Sequence, residues 1–167
     1  QPSISFGVTM ATYAGQNLGA GKIDRIKEGV KKGTIISIAV SVTSSLIVIL
    51  FGSAFIRLFI SANDLEVIQN AKHYLNTVSI FYIPLGLIFI YRNTLQGIGD
   101  SFVPMLAGVA EMVARTVVAF TLPKFLDFTG IALADPAAWI AAAVPLVIVY
   151  YKRINSMIKE RELADII

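Results

Sequence analysis

The chain has 167 residues, of which 56% are hydrophobic and only 15% charged, with a formal net charge of +3 and a mean hydropathy of +0.72. A water-soluble domain carries about 25% charged residues, so this composition excludes an ordinary soluble surface and points to a lipid-facing one. With no cysteine and one histidine, it also excludes a disulfide framework and a thiol metal site.

Residues Gln1 to Ala20 carry no charge and are rich in Gly, Ser, Thr and Gln. This reads as a membrane helix packed against other helices, because small residues allow close approach. The chain opens on Gln1-Pro2, inside a helix already under way, with no basic segment ahead of it. The expectation is a piece of something longer. Gly19 and Gly21 read as a hinge, with Gln16 and Asn17 beside it. From Lys22 to Lys32 the sequence is basic, with Ile23, Ile26 and Val30 at helical spacing. That pattern predicts a short interfacial helix. Thr34 to Ile56 then runs for 23 residues without a charge, about 34 Å at 1.5 Å per residue and enough to cross a core of about 30 Å.

Asn63 and Glu66 have capping-box form, which predicts a helix start near Asp64. Lys72 and His73 lie near water, and the charge-free stretch Tyr74 to Tyr91 contains Pro84 and Gly86, a candidate hinge where a kink is expected. Arg92 and Gln96 share a face at the end of this helix, and Asn76 is a helix–helix hydrogen bonder. Leu95 to Asp100 reads as a tight turn, with Asp100 or Ser101 capping the next helix, Phe102 to about Pro123. Phe125 to Ala134 reads as a loop. Asp135-Pro136 has the form of a helix start, a capping carboxylate followed by Pro. The last apolar helix ends at Lys152 and Arg153, before a charged tail.

The fold class is therefore all-α: a polytopic transmembrane bundle over residues 1–155, with about five spanning helices near 1–20, 34–56, 65–95, 102–123 and 136–155, and a cytoplasmic tail over 156–167. Lys and Arg counts set the expected orientation. The Lys22–Lys32 segment has five, the tail after Tyr151 four, and Arg92 borders the third connection, making ten; the other side holds Arg57, Lys72 and Lys124, making three. The richer side, with the C-terminus, is expected in the cytoplasm of a cell inner or plasma membrane.

The sequence holds no nucleophile elbow, no Walker loop and no catalytic triad pattern, so no enzyme and no cofactor are expected. Glu111 and Arg115 are the residues of most interest. They lie i,i+4 on one helix and can pair. Each costs about 2.5–3.5 kcal/mol at a helix centre, so neither belongs in lipid. The functional reading is a charge pair lining a solute or ion path, and the bland one is a packing lock. A polar partner such as Asn76 or Gln96 is expected beside them.

Three stretches resemble one family in order and spacing. They are Ala14-Gly15-Gln16-Asn17-Leu18-Gly19-Ala20-Gly21 before a basic helix, Tyr91-Arg92-Asn93-Thr94-Leu95-Gln96-Gly97-Ile98-Gly99-Asp100-Ser101, and Gly130-Ile131 with Pro136-Ala137-Ala138-Trp139 and Tyr150-Tyr151-Lys152. They resemble the multidrug and toxic compound extrusion (MATE) transporters. The resemblance implies helices eight to twelve of a twelve-helix protein whose N-terminal lobe is missing here. It implies export of small organic, often cationic, compounds by alternating access, driven by Na⁺ or H⁺, with the lipid bilayer as surroundings and no nucleic acid. One branch of the family carries an acidic residue at the place of Leu85 in its tenth helix, so that branch's cation site does not carry over. The alternatives are a lipid-linked saccharide flippase of the same superfamily, for which Arg115 and Arg92 would be the cavity cations, and a non-transporting membrane scaffold.

Overall fold

The computed structural model describes residues 2–60 and 64–164, all of whose regular structure is helical. In chain order the helices are α1 (Pro2–Gly19), α2 (Ile23–Phe59), α3 (Leu65–Ser79), α4 (Tyr82–Gly97), α5 (Phe102–Thr121), α6 (Pro123–Ala132) and α7 (Ala134–Ala164). Helix α4 is the hub: α1, α2 and α7 pack on it, and α5 lies along α7.

Burial is inverted relative to a soluble helix. On α2 the buried stripe is Ile23, Ile26, Val30, Gly33, Ser37 and Ser41, while Ile35, Val42, Leu46, Leu50 and Leu58 are exposed. Serines inside and leucines outside is stable only where the surroundings are hydrocarbon. Ser37 and Ser41 face Gly86 of α4, where a Cβ would collide with both hydroxyls. The Ser41 hydroxyl donates to the Tyr82 carbonyl at 3.0 Å. On the other side of α4, a Cβ at Gly97 would collide with the backbone of Ala11, so α1 and α4 touch nearly backbone to backbone.

Two turns use one device. The Lys22 amide donates to the Asn17 carbonyl (2.8 Å) and that of Gly21 to Leu18 (2.9 Å); the Asp100 amide donates to Leu95 (2.9 Å) and that of Gly99 to Gln96 (3.0 Å). This is the Schellman pattern, which puts the residue after the cap in the left-handed region, and Gly21 (φ 68°) and Gly99 (φ 90°) are there. Gly21 is thus required by the turn, whereas Gly19 closes α1 with open space around it. Asp100 caps α5 through its Oδ1, which accepts from the Val103 amide at 3.2 Å.

Several boundaries differ from the expectation. The basic segment and the first long apolar stretch are one helix of 37 residues, about 56 Å long and therefore projecting beyond the bilayer. Gly33 does not interrupt it because that glycine packs against Met10 of α1. Residues 65–95 are two helices, α3 and α4, bent by 50° at Ile80–Phe81. Pro84 is the cause: it offers no amide to the Ile80 carbonyl and its ring clashes there, so the break falls before it and Pro84 occupies the first turn of α4. Gly86 is a packing contact beyond the bend. The stretch 125–134, expected as a loop, is mostly α6, bent at Asp127 (φ 46°). Helix α7 continues through Pro145 to Ala164, past the expected end near 155. Asn63 lies outside the described residues; Asp64 precedes α3 without a side-chain cap.

Among the described residues, α2, α5 and α7 are long and apolar enough to cross a membrane, and the bent α3–α4 pair makes a fourth if it is one span. The expected count of five is reached only by adding α1, whose Gly, Ser, Thr, Gln and Asn content keeps it below that apolarity.

A charge ladder between four helices

Glu111 is the tenth residue of the 20-residue α5, about halfway through a helix some 30 Å long. Its two carboxylate oxygens are shared. Arg92 Nη2 of α4 donates to Oε2 at 3.0 Å, and Arg115 Nη2, one turn along α5, donates to Oε1 at 3.3 Å. The Arg115 guanidinium is shared in turn. Its Nε meets Oδ1 of Asp135, in the first turn of α7, at 2.9 Å. Asp135 Oδ2 accepts from the Tyr74 hydroxyl of α3 at 2.8 Å. The result is an alternating series, Arg92, Glu111, Arg115, Asp135, ending on Tyr74.

Spacing explains the internal link and packing the rest. Positions 111 and 115 stack on one face of α5, and the packing of α5 on α7 and of α4 on both brings Arg92 and Asp135 to that face. Two cations and two anions leave the ladder formally neutral, which lowers the cost of holding it at membrane depth. The side chains of Glu111 and Arg92 are 22% and 27% exposed and that of Arg115 45%. Arg92 Nε is buried with no hydrogen-bond partner among the described residues.

The ladder includes three of the five residues singled out from the sequence, Glu111, Arg115 and Arg92. Glu111 and Arg115 do meet, but their further partners are Arg92 and Asp135. Gln96 is exposed and Asn76 half-buried, the latter accepting from Ser79 through its backbone carbonyl at 3.1 Å. Arg92 does not border a loop: it lies more than a turn inside α4, bonded into the bundle. Asp135, read as a helix cap, spends both oxygens on Arg115 and Tyr74. His73 shares a 2.8 Å hydrogen bond with Thr129 at the exposed junction of α3 and α6. Among the described residues no cluster of His, Cys, Asp and Glu has the form of a metal site.

The family model MatE matches residues 2–121. The chain belongs to the MatE family. It is similar to the probable multidrug resistance protein NorM of Thermotoga maritima, 27% identical over 127 residues, covering 75% of this chain and 27% of that protein. It is similar to the probable multidrug resistance protein YoeA of Bacillus subtilis, 24% identical over 152 residues, covering 89% of this chain and 32% of that protein. Its fold matches the inward-facing conformation of a multidrug resistance MATE family transporter of the MOP superfamily, with a TM-score of 0.88 and 15% identity, over 95% of this chain and 37% of that one. The chain thus spans about a third of the length of these relatives. Membership in this family makes it part of a multi-pass membrane protein. The ladder involves both the matched region, through Arg92, Glu111 and Arg115, and α7 beyond it, through Asp135.

Proposed function

We propose that this chain works as part of a secondary active antiporter that exports organic, often cationic, compounds by alternating access in exchange for Na⁺ or H⁺. The observation that carries the reading is the charge ladder. A packing lock needs one pair; here each carboxylate has two partners, so its charge is poised between arrangements. A proton or Na⁺ at Glu111 or Asp135 weakens the hold on Arg115, and a cation that binds one arrangement better shifts the balance between states. The multidrug resistance names of the relatives support the substrate class.

The test uses the whole antiporter that contains this chain, in proteoliposomes with an imposed ion gradient and a fluorescent organic cation. Glu111→Gln and Asp135→Asn are expected to abolish gradient-driven efflux while retaining a monodisperse folded fraction. Undiminished efflux at matched folded protein would leave the ladder a structural element only. For orientation, the basic ends of α2 and α7 are proposed to face the cytoplasm of the cell inner or plasma membrane. With Arg92 inside the bundle the count becomes nine to three, still on the same side. A reporter fused after Ile167 should be active in the cytoplasm only; activity outside would reverse the assignment.

A further inference from the structure

At the Lys/Arg-rich end of the bundle, α2 and α7 enclose a cavity of about 390 Å³ lined by Asp24, Lys27, Glu28, Val30, Lys31, Tyr150 and Tyr151. Three observations there converge on one ligand chemistry.

The first is charge. Both carboxylates are already neutralised, Glu28 by Lys32 at 2.7 Å and Asp24 by Arg161 at 2.7 Å. Lys27 and Lys31, one turn apart on α2, have no ion-pair partner among the described residues. The lining therefore offers two uncompensated ammonium groups. The second is an unspent donor. Tyr150 is 1% exposed, yet its hydroxyl has no hydrogen-bond partner among the described residues. Its neighbours Tyr91 and Tyr151 meet it through ring edges. A buried donor without an acceptor is costly, and an anion supplies the strongest kind of acceptor. The third is what lies deeper. One turn into the bilayer from Lys31 is Ile35, and from Tyr151 is Val147 followed inward by Val144; Ile35 and Val144 are among the exposed apolar residues. Cations at the rim, a buried unpaired tyrosine hydroxyl in the lining and bare hydrocarbon surface above match a molecule with an anionic head and acyl chains.

We propose that this cavity binds the headgroup of an anionic phospholipid, with Lys27 and Lys31 facing the phosphate and the Tyr150 hydroxyl donating to it, and the acyl chains lying along the Ile35 side of α2. Nothing in it depends on the transport reading, because Tyr150 and Tyr151 lie about four turns along α7 from Asp135.

The experiment is a titration of the whole protein that contains this chain, in a neutral detergent, with phosphatidylglycerol and separately with phosphatidylcholine, bound lipid being counted by native mass spectrometry. Phosphatidylglycerol should bind in preference. Lys27→Gln with Lys31→Gln should weaken it about 30-fold, since each basic residue near an anionic lipid contributes about one kcal/mol. Tyr150→Phe, which removes only the hydroxyl, should weaken it about tenfold. Lys27→Arg with Lys31→Arg should restore binding, which separates loss of charge from loss of fold. Lys152→Gln with Lys159→Gln, the same change in charge at the same end but outside the cavity, should shift binding less than threefold. An equal loss in that control, or an unchanged affinity in Tyr150→Phe, overturns the site. Displacement of the lipid by equimolar inorganic phosphate would show a site for the free anion and overturn the assignment to lipid.

Discussion

Ion pairs at the Lys/Arg-rich end of the bundle and those halfway along α5 are made from the same side chains but sit in different surroundings. At the basic end, Lys32–Glu28, Arg153–Asp100 and Arg161–Asp24 share no member with one another. Most of their groups are exposed, and water competes for each of them. Along α5, Arg92, Glu111, Arg115 and Asp135 share partners so that each interior member has two. Where water solvates a charge, one partner suffices and its loss is cheap. Where it does not, charges are economical only in connected, neutral sets, and every member depends on the others.

The largest expected effect is at the middle of the ladder. Glu111→Gln removes the only carboxylate between two guanidinium groups, and should lower stability by about 3 kcal/mol, the lower end for breaking a buried pair, since Glu111 is partly exposed. Thermal unfolding in detergent checks this, and a loss below one kcal/mol would mean that water already solvates the ladder.

A smaller effect separates a chain of charges from a simple pair. Arg115→Gln leaves Glu111 with Arg92 and Asp135 with Tyr74, so it should cost about 1–2 kcal/mol. Combining it with Asp135→Asn removes the opposite charge as well and leaves the Arg92–Glu111 pair intact. The double variant should be more stable than the sum of the singles by about one kcal/mol, the size of coupling between contacting groups. Strict additivity would show that Arg115 and Asp135 do not share their interaction.

The smallest effect belongs to the water-facing set. Arg161→Ala should cost less than about one kcal/mol, and raising the salt to about 1 M should erase the difference from the parent chain, because the screening length falls to about 3 Å. The same salt should leave the Glu111→Gln deficit largely in place. If both deficits vanish together, the contrast between the two sets is wrong.

What was legible in the sequence follows the same division between local and distant. The Glu111–Arg115 contact is a property of one helix, so spacing alone revealed it. The Asp100 cap and the glycine turns at Gly21 and Gly99 are equally local. Arg92 was singled out, but its pairing with Glu111 was not, because that partner lies on another helix; Asp135 was read only as a cap before Pro136, because its partners Arg115 and Tyr74 also lie on other helices. The only hint was an acid at a helix start within reach of membrane depth. Helix α6 was read as a loop, and the structure shows a helix bent at Asp127, whose φ is 46°. Pro84 was correctly suspected, but a proline acts on the carbonyl four residues before it, so the break lies at Ile80–Phe81.

That bend gives the ladder a mechanical meaning. Its two ends are tied to opposite limbs of the broken helix, Tyr74 on α3 and Arg92 on α4. The limbs meet at 50°, and the salt-bridged side chains of α5 and α7 stretch between them as a string does between the arms of a bow. Straightening or deepening the bend must lengthen or slacken that string. Any force that flexes the broken helix therefore pulls on the Tyr74–Asp135 and Arg92–Glu111 contacts together.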